Sequence, residues 1–490
     1  MEHTDPAIVP TGGVHDESPR RNQALWGFAI TAVALFMVTL DNLVVTTALP
    51  VIRTQLHAGL EDLEWTVNAY TLTFAVLLLT GAALGDRYGR RRVFGIGLAL
   101  FTVGSAAAAL APNAGMLIAA RAFQGLGGAI VTPLTLTLLS AAVPAERRAV
   151  ALGAWGGIAG LAVAAGPVVG GAVVQGISWQ WIFWLNVPIG LTLIPLARLR
   201  LRESRGPASR LDAGGVLLAS AGLLGIVWGV IRGNADGWTS LNIDGAIGAG
   251  VALLVLFVAW ERHTTAPMLP MSFFGNAVFS RVNAASLFMY FGMFGSIFLL
   301  SQFFQTVERL SPLDSGLRIL PWTAMPIFVA PIAGALTSRI NGRTLLALGL
   351  ALQATGLALI ASRLTPTAPY SDFVLPFIIS GAGMGLFFAP VANIVLSAVR
   401  PDQEGQASGA NNAIRELGGV LGVAVLAAIF AHVGGYASAQ SYVDGTRPAI
   451  YAGAVIVGLG SLIAAAIPVR RQSLMPRTGS SAVARVLPQP

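Results

Sequence analysis

Asp41 and Arg121 are the residues of this chain best placed to do chemistry, because each interrupts a long apolar run with an ionisable side chain. Such a group is costly inside a bilayer unless it is paired or hydrated. Each lies five or six residues from the end of its apolar run, which at about 1.5 Å per residue places both at a depth of about 8 Å, where they could meet. We therefore predict that Asp41 binds and releases a proton as its distance from Arg121 changes. Outward snorkelling of Arg121 to water is the alternative.

The sequence lacks the residue patterns that metal binding, acid–base catalysis or nucleophilic catalysis would need. The chain has no cysteine and five histidines, none at a metal-ligand spacing, and no loop carries paired carboxylates or a nucleophile beside a base. The glycines that follow Arg121 lie inside an apolar run with no strand before them, so they indicate close helix packing and not a nucleotide site. We therefore expect no enzyme, no metal and no cofactor, with the proton-motive force as the energy source.

The elements that must position these residues are membrane helices. The chain is 55% hydrophobic and 11% charged, and its apolar residues form about fourteen runs of bilayer length. The fold class is therefore all-α, a polytopic membrane protein with two six-helix halves and two additional helices between them. The predicted spans are 24–47, 66–84, 92–111, 116–139, 148–173, 180–199, 212–231, 243–260, 279–303, 316–338, 344–361, 371–398, 412–432 and 449–468.

The chain divides accordingly into a cytoplasmic tail at 1–22, a first half at 23–200, a linker with the two extra helices at 201–278, a second half at 279–468 and a second cytoplasmic tail at 469–490. Thirty cations, all arginine, set the orientation. With the amino terminus in the cytoplasm, 23 fall at or near cytoplasmic segments, six in external ones and one, Arg121, inside a span. The net charge of +8 is therefore an insertion signal, and we expect no nucleic-acid partner. The first apolar run is too long for a cleavable signal.

The connector at residues 81–92 reads Gly-Ala-Ala-Leu-Gly-Asp-Arg-Tyr-Gly-Arg-Arg-Arg. Orienting charges explain its arginines but not Asp86, which opposes that bias and could cap a helix amino terminus. The segment resembles the signature loop of the major facilitator superfamily, Gly-x-Leu-x-Asp-Arg-x-Gly-Arg-Arg, with Ala82 where that family usually has Gly. A worn copy at 334–343, with Ser338 in place of the acid, fits two duplicated halves. The resemblance implies that Asp86, Arg90 and Arg91 form a cytoplasmic latch that holds the outward-open state.

Other segments extend the resemblance. Residues 121–129 resemble the family's proton-relay motif, which would place Arg121 and Gln124 in the coupling path. The glycine-rich run 153–171 resembles the antiporter motif of drug:proton exchangers, although Ala162 replaces a usual Gly. This resemblance implies that a helix kink at Gly166, Pro167, Gly170 and Gly171 helps to define the direction of exchange. Purely structural bending of the helix is the alternative. The stretches that resemble the fourteen-span drug:proton antiporter branch specifically are 40–50, 181–190, 305–321 and 411–419.

The resemblance implies a proton-coupled efflux transporter that works by alternating access on multiple drugs or amphipathic compounds. Substrate contacts are harder to predict, because cavity-lining aromatic, methionine and amide side chains look like core; the candidates are Asn68, Tyr70, Asn283, Met289, Gln302 and Asn393. The expected partners are an amphipathic or cationic small molecule, protons and the lipid bilayer, with the chain working as a monomer in the cell membrane. A proton-coupled exporter or importer of one metabolite remains the alternative, and a sensor that moves nothing is less favoured.

Overall fold

The computed structural model describes residues 18–206, 211–337, 339–400 and 403–468, so most of both predicted tails and Ser338 lie outside the described residues. Within these ranges the regular elements are helical: a short 3₁₀ helix at Met271–Gly275 and sixteen α-helices. Their bounds are α1 (Ser18–Gln55), α2 (Leu60–Tyr88), α3 (Arg90–Ala109), α4 (Ala114–Ala142), α5 (Ala145–Gly176), α6 (Trp181–Trp184), α7 (Asn186–Arg200), α8 (Ala213–Asp236), α9 (Leu241–His263), α10 (Ala277–Thr306), α11 (Pro312–Thr323), α12 (Met325–Leu336), α13 (Gly342–Arg363), α14 (Ser371–Ser397), α15 (Glu404–Val433) and α16 (Ala439–Ala465).

Fourteen segments of the described chain are long and apolar enough to cross a membrane. The short α6 joins α7 in one of them, Trp181–Arg200, and α11 joins α12 in another, Pro312–Leu336. The prediction of fourteen spans is thereby confirmed. Several helices extend beyond their apolar runs, since α1 continues to Gln55, α2 begins at Leu60 and α15 begins at Glu404. Asp41 is therefore fourteen residues from the end of α1, deeper than the expected five or six.

The two halves repeat one packing pattern. In the first half α1 packs on α5, and α3 packs on α4 and α7. In the second half the corresponding helices do the same, because α10 packs on α15, and α13 packs on α14 and α16. The equivalence fits a duplicated body of six plus six spans. The domain boundaries at 200 and 278 stay a prediction, which this pattern supports.

The two additional helices form a hairpin, α8 packed on α9, at the edge of the bundle. Asp212 begins the hairpin as an N-cap that accepts from the Gly215 amide at 2.8 Å and from the Trp260 indole nitrogen of α9 at 2.7 Å. The inner surface of α8 packs on α2 and α15, and the Asn234 amide donates to the carbonyl oxygen of Ala428 at 2.6 Å. The hairpin therefore contacts one helix of each half.

The ends of the bundle differ in how the halves meet. We call the end where α1 begins and α16 ends the terminal face, and the opposite end the far face. Towards the far face, the Ser301 hydroxyl of α10 donates to the Thr46 carbonyl of α1 at 3.0 Å, and the Gln305 amide donates to the Thr47 carbonyl at 2.9 Å. Nearby, the Leu313 amide donates to the Gln175 side chain at 3.3 Å. The halves are therefore closed together at the far face.

Towards the terminal face the halves diverge. The face of α5 that packs on the second half carries Gly171 and Ala164, whose carbonyl oxygen accepts from the Thr323 hydroxyl of α11 at 3.5 Å. Helical spacing continues that face to Gly160 and Gly157. A methyl group added at either glycine would meet nothing within 4 Å. This part of α5 thus has no close neighbour in the described structure, although α2 and α15 still meet, since a methyl group at Gly409 would lie 2.7 Å from Leu79. We interpret the terminal face as the open one on the α5 side.

Candidate functional site

A buried ion pair lies at the centre of the first half. The Nη1 atom of Arg121 in α4 donates to Oδ2 of Asp41 in α1 at 2.5 Å, and both side chains are fully enclosed. In a region of low dielectric, two opposite charges at this distance attract strongly, but each has given up its hydration. Removing either partner would strand the other charge, at a cost of about 3–5 kcal/mol. The pair is therefore strong only while its geometry is kept.

Two amide side chains complete the surroundings of the carboxylate. The Gln124 amide donates to Oδ1 of Asp41 at 2.9 Å, and the Asn186 amide donates to the same oxygen at 2.7 Å. Both amides also donate to the Ser105 hydroxyl, at 3.1 and 2.9 Å, and that hydroxyl donates to the Phe183 carbonyl at 3.0 Å. Asp41 thus accepts three hydrogen bonds from N–H donors, an arrangement suited to an ionised carboxylate.

Glycines allow the helices to approach closely enough for these bonds. A methyl group at Gly104 of α3 would lie 2.8 Å from Cα of Gln124, so α3 can bring Ser105 to α4 only without that side chain. A methyl group at Gly125 would lie 2.5 Å from the carbonyl oxygen of Tyr70, which sets the spacing of α4 and α2 in the same way. The glycines after Arg121 therefore serve packing around the ion pair.

The Arg121 guanidinium is held from several sides. Its Cζ lies 4.2 Å from the centre of the Tyr70 ring and 5.6 Å from that of Phe183, and its Nε donates to the Thr66 carbonyl at 3.2 Å. Aromatic faces stabilise a desolvated guanidinium by cation–π attraction. Nη1 also donates to Gln124 Oε1 at 2.7 Å, whereas the buried Nη2 has no partner among the described residues. Through Nη2 the guanidinium can therefore still donate a hydrogen bond to a further partner.

The structure thus brings together four residues that the sequence analysis singled out, Asp41, Arg121, Gln124 and Tyr70. Their roles stay predictions, as does the assignment of Tyr70 to the substrate cavity, since its ring packs on Arg121 and its hydroxyl donates to the Val38 carbonyl at 3.3 Å. Sequence reasoning missed Asn186 as a site residue. The only available signal was its place in the motif at 181–190, directly after the short helix α6.

The remaining cavity candidates occupy different surroundings. Asn283 and Met289 are buried inside the second half, where Asn283 accepts from Asn411 at 3.0 Å. Gln302 is buried below the far face and accepts from the Tyr436 hydroxyl at 2.6 Å. Asn393 is exposed on α14. Only Asn68 is both fully buried and without partners for either amide atom, which makes it the candidate with free bonding capacity within the described chain.

The predicted latch residues lie at the terminal face and bond within the first half. Nε of Arg90 is 2.8 Å from Oδ1 of Asp86, and the carbonyl oxygen of Asp86 accepts from the Gly206 amide at 3.2 Å. Arg91 donates to the Arg198 carbonyl at 3.2 Å, and its backbone amide donates to Glu203 at 2.9 Å. In this conformation the three residues therefore hold the connector that follows α7.

The antiporter-motif residues lie where α5 meets two other helices, and α5 is continuous through Pro167. A methyl group at Gly166 would lie 2.6 Å from Cβ of Leu43, and one at Gly170 would lie 2.8 Å from the carbonyl oxygen of Val44, so both glycines let α5 pack on α1. Gly171 contacts Pro312 of α11, and Gly316 of α11 contacts Pro167 in return. All four of these residues lie next to Asp41's own helix or the second half, which places the motif between the ion pair and the inter-half contact.

No cluster of three or more His, Cys, Asp or Glu side chains suited to a metal ion occurs in the described ranges. Comparison with known sequences gives a specific result instead. A sequence model described as Major Facilitator Superfamily matches residues 31–423. The tetracenomycin C resistance and export protein of Streptomyces glaucescens is 34% identical over 426 residues, which are 86% of this chain and 79% of that protein.

The multidrug resistance protein Stp of Mycobacterium tuberculosis (strain CDC 1551 / Oshkosh) is 36% identical over 404 residues, covering 82% of this chain and 75% of that protein. Among solved structures, a POT family transporter in complex with a thioalcohol-conjugated peptide has a TM-score of 0.67 at 13% identity. That alignment covers 89% of this chain and 95% of the transporter, and at such low identity it shows a common fold alone.

Proposed function

We propose that this chain, a member of the Major Facilitator Superfamily, exports small amphipathic compounds in exchange for protons. Its membership of that family makes it a multi-pass membrane transport protein and not an enzyme. The relatives reported above are named for drug or antibiotic resistance and export, which supports the direction of transport. The proton as the coupling ion rests on one observation in this chain, the buried Asp41–Arg121 pair.

The pair gives Asp41 two stable situations. In the present conformation three N–H donors hold it, so the ionised form is well accommodated and its proton has been released. A tilt of α1 against α4 that lengthens these bonds leaves a poorly solvated carboxylate, which then takes a proton from the opposite side. Alternation between the two faces thereby couples inward movement of protons to the transport cycle.

The arginine distribution supports a cytoplasmic position for the terminal face and for both termini, in the cell membrane. The conformation described above is then inward-open, the state in which substrate enters from the cytoplasm. The site residues come from one chain, so a monomer suffices for transport. Asp41 already accepts hydrogen bonds from donors of its own half. A weakly polar substrate would therefore be held by apolar burial and by the free amide of Asn68.

Efflux of ethidium, a lipophilic cation, tests direction and energy source together. Cells that express the chain and are loaded with ethidium should lose the dye faster than cells with empty vector, and a protonophore should abolish the difference. Asp41→Asn should reduce gradient-driven efflux to the empty-vector level, because its amide cannot carry a proton. The matched control is Asp372→Asn, which changes an exposed aspartate on α14 whose ion pair with Arg363 is long, at 4.0 Å.

Full protonophore-sensitive efflux in Asp41→Asn would remove this carboxyl group from the mechanism. Transport that is insensitive to protonophore would remove proton coupling altogether. Accumulation of the compound along the inward proton gradient would identify the alternative, a proton-coupled importer or a carrier for one metabolite.

A further inference from the structure

Two polar side chains on α2, Glu64 and Asn68, have bonding capacity that the folded chain does not use. They are one helical turn apart and therefore share a face, and their exposures are 2% and 0%. Oε2 of Glu64 and both amide atoms of Asn68 have no hydrogen-bond partner in the part of the chain that the structure describes. Buried polar groups are nearly always bonded, so three unmet atoms on one face need partners that the folded chain does not supply in this conformation.

At the far face of the bundle, the second half closes over this surface of α2. The Arg53 guanidinium at the end of α1 stacks on the Tyr436 ring, with Cζ 3.5 Å from the ring centre, and the Tyr436 hydroxyl donates to Gln302 at 2.6 Å. The Tyr442 ring packs edge-on against Tyr436. Burial raises the pKa of Tyr436, so its hydroxyl stays a neutral donor, and the Glu64 carboxyl acts electrostatically on it. Arg53 thus stacks on a residue of the second half, and the same tyrosine lies within electrostatic range of the buried Glu64 carboxyl.

Within the described ranges, no cation forms a salt bridge with this carboxyl. Glu61, one turn earlier on α2, adds a second negative charge to its surroundings. Arg232 of α8 is engaged by Asp236 at 2.9 Å, and Arg121 of α4 is engaged by Asp41 at 2.5 Å. An ionised carboxylate here would be desolvated and unpaired, which is energetically costly, whereas a protonated one is neutral and can bond to the adjacent amide.

We propose that Glu64 is a second proton-binding site, which is filled when the far face closes and emptied when it opens. On closure the carboxylate takes a proton from hydronium and leaves water. On opening, Tyr436 departs with the second half, water enters, the proton returns to water, and the released Arg53 pairs with the carboxylate that forms. The link of this site to drug export rests on the proposed function, but the link between proton and closure does not.

The sign of the linkage follows directly. The closed state binds one more proton at Glu64 than the open state, so a rise in pH on the far side favours opening. One linked proton changes the ratio of open to closed molecules by at most about tenfold per pH unit. Replacing the carboxyl with a permanently neutral amide should keep the far face closed and remove this pH dependence.

Cysteine labelling measures opening without any substrate, and the natural chain has no cysteine to remove. Ser301→Cys is the reporter, because Ser301 is buried at the far-face contact between α10 and α1. An impermeant maleimide is added to the far side of proteoliposomes at a series of pH values. Rates are divided by those of Gly435→Cys, a far-face position with nothing within 4 Å, to correct for thiol ionisation.

The normalised labelling rate should rise with pH in the reporter protein and lose most of that slope in Glu64→Gln. Glu64→Asp, which keeps a carboxyl group, should retain the slope, as should Glu61→Gln, the same substitution one turn away. Repeating the series in the Asp41→Asn background separates the effect of Glu64 from any contribution of the Asp41 carboxyl group. An unchanged slope in Glu64→Gln, or an equal loss in Glu61→Gln, would overturn the proposal, and neither result depends on whether the chain exports drugs.

Discussion

At the scale of residues, the distinctive property of this site is that its charged groups are bonded in separate sets. Asp41 receives all its donors from the first half, whereas Oε2 of Glu64 has no partner within the described part of the chain. The proposals made above therefore need an ionised Asp41 and a neutral Glu64 in one conformation. A transporter with this arrangement can respond to a proton at two depths.

Asn186 provides the sharpest test of the Asp41 surroundings. Asn186→Leu removes one of three donors to an ionised carboxylate, worth about 1.5–3 kcal/mol. Because the ionised form loses a donor, the pH profile of ethidium transport should move in the alkaline direction. Transport in proteoliposomes at a series of internal pH values measures the shift.

The matched control for Asn186 is Asn411→Leu, which changes another buried asparagine that donates to Asn283 and Ser286 in the second half. This variant should lose stability and keep the pH profile of the parent. An unshifted profile in Asn186→Leu would mean that its bond to Asp41 does not bear on proton exchange.

At the scale of elements, helix ends explain which site residues the sequence could predict. Asp41 and Arg121 interrupt apolar runs and were recognisable at once. Glu64 was not, because the predicted second span begins at 66 while α2 begins at Leu60. The polar first turns of a membrane helix carry no hydropathy signal. Asn186 and Ser105 were missed for a different reason, since amides and hydroxyls are common in cores and their partners are distant in sequence.

Helix α5 is the element whose glycines allow a direct comparison. Gly170→Ala places a methyl group against Val44 and Thr47 of α1, and such overpacking costs about 1–3 kcal/mol. We expect a lower melting temperature and slower ethidium efflux, measured by intrinsic tryptophan fluorescence and by dye loss. Gly156→Ala, on the same helix with nothing within 4 Å, should leave the melting temperature unchanged. Equal effects of the two substitutions would contradict the packing role of Gly170.

At the scale of the whole molecule, the contacts between halves define which face is open. The duplication and the fourteen spans were predictable from hydropathy and loop motifs, because each span is a local property of the chain. The conformation was not, since it depends on long-range contacts such as that of Ser301 with Thr46, and on the absence of neighbours around Gly157 in the described structure.

Accessibility of single cysteines should reproduce this asymmetry in resting protein. Gly157→Cys should react rapidly with maleimide from the terminal face, and Ser301→Cys slowly from the far face, because the first borders open space and the second is buried. The measurement is the labelling rate in detergent and in vesicles of known orientation. Fast reaction of Ser301→Cys together with protection of Gly157→Cys would show that the opposite state dominates.

The latch prediction belongs to the same scale. In the present conformation Asp86 bonds to Arg90 and to the connector that follows α7. If its carboxylate also stabilises the state closed at the terminal face, Asp86→Asn should shift the molecules towards the state open at that face. Labelling of Gly157→Cys should then rise and that of Ser301→Cys should fall. Transport should fall in parallel. Unchanged labelling at both positions would refute the latch.

The α8–α9 hairpin rests against α2 from one half and α15 from the other. In the proposed alternating cycle those two supports would tilt in opposite senses, so the hairpin could not keep its present contacts with both. The outer surface of α9 faces acyl chains, and any displacement of the hairpin must deform the surrounding lipid. The free-energy difference between the two states would therefore depend on bilayer thickness and lateral pressure.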